Sequence, residues 1–145
     1  MKLWSNSFKE GEVIPAKYGA RNLNLSPHLA WDEVPGGTKS LALVVDDPDA
    51  PAGTWVHWIV ININPSIKQI LENKVPMGVK QLKNDSRQEK WGGPSPPSGT
   101  HRYFFKLYAL DVAKLECDER TINQEIKKHK IAEAQLMGKF SATKK

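Results

Sequence analysis

Apolar residues in this chain gather in short blocks. Residues 41–46 (LALVVD), 56–63 (VHWIVINI) and 103–110 (YFFKLYAL) are β-branched or aromatic and lie between Gly- and Pro-containing segments. Blocks of this kind predict strands. The first two do not alternate cleanly between apolar and polar, which predicts burial on both faces. All ten prolines fall at or before Pro97. Proline breaks helix interiors, so long helices are not expected in the first two-thirds. Over residues 66–72, Ile67, Ile70 and Leu71 repeat at helical spacing and predict a short helical turn. After Pro97 a helix is plausible. Thr121 and Gln124 have capping-box spacing. Ile122, Ile126 and His129 fall on one stripe, with Lys127, Lys128 and Lys130 facing out. The following IAEAQLMGKF alternates Ala132, Ala134 and Leu136 against Glu133 and Gln135, a strand period. No repeat or linker divides the chain, so residues 1–145 read as one all-β domain with a C-terminal helix.

Composition narrows the class. With 145 residues, 39% hydrophobic and 26% charged, the chain falls among ordinary globular domains, not disordered, collagen-like or coiled-coil ones. Five tryptophans call for a real core or a binding surface. Cys117 is the single cysteine, which excludes an intramolecular disulfide and suits a reducing compartment. The N-terminal MKLWSNSFKE lacks an apolar stretch of the signal-peptide kind, and the apolar run at 55–63 is too short to span a bilayer. A cytoplasmic location is expected. Net charge is +5, but its distribution matters more. Residues 41–63 hold Asp46, Asp47 and Asp49 with no Lys or Arg, while the positive excess lies in 64–90 and 121–145. The basic tail has no nucleic-acid motif beside it, so a solvated face is the simpler reading.

Two clusters carry candidate chemistry. The first runs Asp46-Asp47-Pro48-Asp49-Ala50-Pro51 and then Trp55-Val56-His57-Trp58. A buried strand ends in acids, a stiff turn follows, and the next strand opens on a histidine. Carboxylates crowded this way repel, so one has a raised pKa unless a cation or donor stands by. Asp and Pro also favour turns for local reasons alone. The second cluster runs from Trp91 to Tyr103 (WGGPSPPSGTHRY). Its glycines permit close backbone approach, its prolines stiffen the loop, and His101 opens an aromatic strand. Together they predict a small pocket of two histidines and two or three aspartates, flanked by Trp55, Trp58 and Trp91.

DPDAP with WVHW, then GGPSPPSGTHRY, resembles the phosphatidylethanolamine-binding protein family, which includes the Raf kinase inhibitor proteins. The resemblance is closest to the short prokaryotic branch and runs from about residue 14 to 140, taking in NLSPHLAW, PGGTKSL, FFKLYALD and AEAQLMG. It implies an antiparallel β-sandwich with an anion pocket at the strand ends. By position Asp47, Asp49, His57 and His101 match pocket residues, and Pro96, Pro97 and Gly99 shape the rim. Ser95 stands where many prokaryotic members have cysteine. Ser86-Arg87 replaces a glycine often found after Asn84-Asp85, and Phe140 replaces a common tyrosine. The eukaryotic branch's extra C-terminal helix has no counterpart here, so lipid-headgroup or kinase regulation is not carried over.

The expectation is a binding protein, not an enzyme, with no cofactor. Its ligand is a phosphate or phosphoester of the phosphorylethanolamine kind, held more tightly at mildly acid pH by His57 and His101. The competing class is a protein-interaction module that presents loops 48–54 and 92–100 to a serine protease or binds a kinase. Two enzyme readings are weaker. A triad of Ser95, Ser98 or Thr100 with His101 lacks a visible oxyanion site. A metal site at His57, His101, Asp47 and Asp49 needs geometric support. A homodimer is left open.

Overall fold

The computed structural model describes residues 1–142. In chain order the strands are β1 (Lys2–Trp4), β2 (Leu29–Asp32), β3 (Ser40–Asp47), β4 (Trp55–Ile63), β5 (Gln69–Ile70), β6 (Lys80–Leu82), β7 (Thr100–Leu110) and β8 (Lys130–Ser141). One helix, α1 (Ile122–His129), lies between β7 and β8, and a 3-10 turn covers Ala16–Tyr18. The strands form two antiparallel sheets, ordered β1-β2-β5 and β6-β4-β3-β7-β8. No helix among the described residues is long and apolar enough to cross a membrane.

The sheets face each other across the main core. Leu29 and Trp31 of the small sheet meet Leu41, Leu43, Trp58 and Phe105 of the large one. The large sheet's other face is covered as well. There Ala42, Val44, Ile59 and Ile61 pack with Leu115 and with Ile122 and Ile126 of α1. This third layer explains the unbroken apolar runs of β3 and β4, since each strand buries both faces.

Two irregularities in β4 set the site. Leu41 pairs with Ile63 and Leu43 with Val60, so β4 carries an extra residue near Asn62. Asn62 has φ +62 and accepts a hydrogen bond from the Leu115 N–H, a role suited to asparagine's tolerance of left-handed backbone. Val45 pairs with Trp58 but Asp46 pairs with Val56, which leaves His57 as the second extra residue. Val56 therefore packs toward the helix layer while Trp58 enters the main core.

The structure corrects three local expectations. Residues 66–72 form no helical turn. Gln69–Ile70 instead pair as β5 with β2, and the Trp31 indole and backbone N–H groups bond the carbonyls of Ile67 and Lys68. An unfilled strand edge outweighs a weak helical period. The Thr121–Gln124 capping box does not form. Asp118 takes that work, accepting the backbone N–H groups of Arg120 and Thr121. Finally, His129 is not on the buried stripe, because its ring bonds the Asp111 carboxylate, and Lys130 already begins β8. Asp118→Ala is accordingly expected to lower the thermal midpoint by a few degrees, as loss of a cap does, while Gln124→Ala leaves it unchanged. Thermal melts of the two variants check this; the reverse order would restore the capping box.

Candidate functional site

The strand order β4-β3-β7 brings the C-terminal end of β3 beside the N-terminal ends of β4 and β7. Asp47, His57 and His101 meet there because neighbouring antiparallel strands start and stop at the same edge. A cavity of about 360 Å3 opens at that point, within the range of small-ligand sites. Asp47, His57, His101 and Tyr103 line it from the strands. Trp55, 41% exposed, stands on one side, and Ser95, Pro96 and Pro97 on another.

Each acid of the first cluster has its own cation or histidine. Asp47 is buried and accepts the His101 Nδ1–H at 2.6 Å, while its other oxygen takes the Asp49 N–H at 2.7 Å. Asp46 points to the opposite face of β3, where Lys106 Nζ lies 3.0 Å away. Asp49 is forked by Arg102, with Nε at 2.9 Å and Nη2 at 2.8 Å, and also accepts the Arg102 backbone N–H. These bonds hold the Asp49 carboxyl down at about 2. The repulsion implied by three near-adjacent aspartates is therefore relieved by fanning them out. Asp49 is not in the cavity wall.

The histidines are fixed in a matching way. His57 donates its Nδ1–H to the Gly92 carbonyl at 2.7 Å, since only a protonated ring nitrogen can bond a carbonyl oxygen. His101 does the same toward Asp47. Each ring keeps Nε2 for a further partner. Burial lowers the His57 pKa below the ordinary histidine value, against the opposing pull of Gly92 and the nearby aspartates. Tyr103 packs between the imidazoles, 5.2 Å from the His57 ring edge-on and 6.5 Å from the His101 ring in a stacked pose. Burial, and then the Asp47 charge, push its phenol well above the usual range, so it keeps its proton.

Other expected residues stand behind or beside the cavity. Trp91 is buried between Trp58 and Phe105 and donates its indole N–H to the Tyr18 carbonyl, bracing the Gly92–Gly93 wall. Gly99, at φ +65, makes the turn into β7 and bonds the Ala142 N–H. Ser95 accepts a hydrogen bond from Arg21 Nε at 3.2 Å. The four residues weighed as metal ligands are not gathered, because Asp49 faces Arg102.

Tyr103, Asn84 and Gly93 also line the cavity; Gly93 and Tyr103 fall within the second sequence cluster without standing out there as pocket residues, and Asn84 falls outside both clusters. Tyr103 sits two residues beyond His101, hence on the same strand face, and that spacing was readable. Buried Asn84 donates to the carbonyls of His57 and Lys90 and accepts from the Ser86 and Gln88 N–H groups. It clamps the His57 bulge to the next loop, which only the fold reveals.

Comparison with known proteins agrees with this architecture. A family model described as phosphatidylethanolamine-binding protein matches residues 4–141. A UPF0098 protein of Methanothermobacter thermautotrophicus is 43% identical over 148 residues, covering 97% of this chain and 98% of its own. The crystal structure of Escherichia coli YBCL, described as a new member of the mammalian PEBP family, superposes at a TM-score of 0.93 with 32% identity, covering 98% of each chain. A Chlamydia trachomatis structure described as a PEBP homolog superposes at 0.90 with 35% identity, covering 98% of this chain and 97% of its own. The family match over residues 4–141, the identity over nearly the whole chain and the superposed folds converge: the chain belongs to the phosphatidylethanolamine-binding protein family.

Proposed function

We propose that the cavity binds a small anion of the phosphate or phosphoester class and that the protein works by binding, not by catalysis. The observation that carries this reading is the pair of imidazoles, His57 and His101, each anchored through Nδ1 in the wall of one cavity. A ring held this way offers Nε2 in a fixed direction, and once protonated it becomes a charged donor to an anion. The Tyr103 hydroxyl adds a neutral polar group to the same wall. The Asp47 charge is already engaged by His101 and the Asp49 N–H, which reduces its repulsion of an incoming anion.

Proton linkage gives the test. An anion favours the protonated ring, so binding takes up a proton, and affinity rises as pH falls through the histidine range. Each proton taken up gives about tenfold per pH unit. Sulfate is the cleaner probe, because its own charge is constant there. Titration calorimetry of sulfate from about pH 8 to about pH 5 should show this rise, and a flat affinity would remove the histidines from the account.

The same linkage acts on stability. The His57 pKa is lowered by folding, so the unfolded chain takes up its proton first. Stability therefore falls as pH drops from the ordinary histidine value of about 6.5 toward the lower folded value. Saturating sulfate should cancel part of that loss. Thermal melts across this window, with and without sulfate, check the sign; greater stability at the acid end without anion would reverse it.

A further inference from the structure

Charge at the cavity rim is arranged unevenly. The chain has four arginines. Arg102 is bound to Asp49 and Arg120 to Asp118. Neither Arg21 nor Arg87 is paired with a carboxylate among the described residues, and both stand on loops that edge the cavity. Arg21 lies beside Ala20, which lines the cavity, and its Nε bonds Ser95, which lines it too. Arg21 lines a small crevice that shares Ser95 and Pro96 with the main cavity. Its two Nη groups are not used by that bond.

Arg87 approaches from another side. Its neighbours Ser86 and Gln88 line the cavity. Arg87 itself borders an adjoining depression that shares Trp55, Val56 and Asn84 with the cavity. Asp85 borders that depression as well, but spends an oxygen on the Val56 N–H and forms no ion pair with Arg87. The Arg87 backbone is left-handed, at φ +65, a conformation that glycine takes freely and arginine does not. The turn imposes it, because Arg87 N–H bonds the Asn84 carbonyl while Ser86 and Gln88 bond the Asn84 side chain. No local backbone reason favours arginine there, and an outlier of this kind beside a site points to function.

Inside, the situation is the opposite. Asp47 is the one carboxylate among the lining residues, and it is already bonded to His101 and the Asp49 N–H. A ligand's ammonium group would find no free carboxylate in the cavity itself; at its edge stand Arg21 and Arg87, the latter sharing its depression with Lys83, Asp85 and Glu119.

We propose that Arg21 and Arg87 make the cavity selective for phosphoryl ligands that carry a second anionic group, and against zwitterionic headgroups of the ethanolamine kind. This selectivity rests on the phosphoryl-binding reading above. The phosphoryl group sits between His57 and His101, and the second anion extends toward the rim. Two solvent-exposed charge pairs of ordinary strength correspond to a preference of about fivefold, which weakens in high salt.

The experiment compares inorganic phosphate, 3-phosphoglycerate and phosphorylethanolamine by calorimetry at one pH and low salt. Wild type is expected to bind 3-phosphoglycerate about fivefold more tightly than phosphorylethanolamine. The Arg21→Gln/Arg87→Gly double variant should bring that ratio to about one while still binding inorganic phosphate. Arg87→Gly relieves a left-handed residue, so the variant should melt no lower than wild type. Arg21→Gln alone should lower the ratio to about half and serves as the independent check on folding. Equal affinities in wild type, or a preference that survives the double variant, would overturn the selectivity while leaving the phosphoryl reading intact. If none of the three probes binds wild type, both fall.

Discussion

Replacing Gly93 with alanine is expected to cost the fold about 3 kcal/mol, at the upper end for overpacking. A Cβ there would lie 2.1 Å from the Tyr18 carbonyl oxygen, 2.8 Å from Asn24 Oδ1 and 2.9 Å from the Ala20 nitrogen. Two of those atoms are backbone and cannot swing aside. The surrounding chain is also tied, because Ala20 N–H bonds the Pro94 carbonyl, Gly93 N–H bonds Asn24 and the Trp91 indole bonds Tyr18. Relief would require separating two loops that together wall the cavity. The thermal midpoint should fall by roughly 10 °C for a chain of this size, with anion binding lost as well. Gly92→Ala is the control. Its Cβ would meet the Asn84 side-chain nitrogen at 3.0 Å, and a side chain can yield a few tenths of an ångström. If the two variants melt alike, the close approach at Gly93 is not what shapes this wall.

His101→Ala is expected to lower stability by about 3 kcal/mol, the scale for breaking a buried pair from one side. It leaves Asp47, whose side chain is 4% exposed, with the Asp49 N–H and the neighbouring Tyr103. Removing both partners should cost less than the two single losses combined, because no stranded carboxylate remains. Denaturant unfolding of His101→Ala, Asp47→Ala and the double variant tests this coupling. Additive effects would mean that the 2.6 Å contact contributes little. All three variants should lose anion affinity. Asp47→Asn is more discriminating. It keeps the shape and an acceptor, so stability falls only by about 1 kcal/mol, well short of the loss in His101→Ala.

Much of the fold is legible in the pattern of residues. Strands β3, β4 and β7 follow from apolar, β-branched blocks, and the double-sided burial of β3 and β4 follows from their failure to alternate. The alternation of 131–136 survives as β8 although it adjoins a helix. Other features depend on partners that local pattern cannot name. β5 exists because β2 has an edge to fill. The His57 bulge is a matter of register between β3 and β4, and register is set by the packed pair of strands and not by either alone. Asp49 reads like a pocket acid until its partner Arg102, 53 positions on, is in place. Asp47, His57 and His101 were recognisable as candidates, and their convergence follows from antiparallel strand ends. Charge behaves similarly. The positive excess of 64–90 is remote from the acidic cluster in sequence, yet Arg87 returns to the rim beside Trp55.

On the proposed reading, one cavity holds an anion between His57 and His101. The chain has four histidines, and His28 and His129 do not line that cavity, so they act as internal controls. The decisive measurement is a sulfate titration of the protein that follows the ring nitrogens of all four by NMR. Saturable shifts at His57 and His101, with His28 and His129 unmoved, are the predicted result. Equal drift of all four rings, or no saturable shift at His57 and His101, would contradict it.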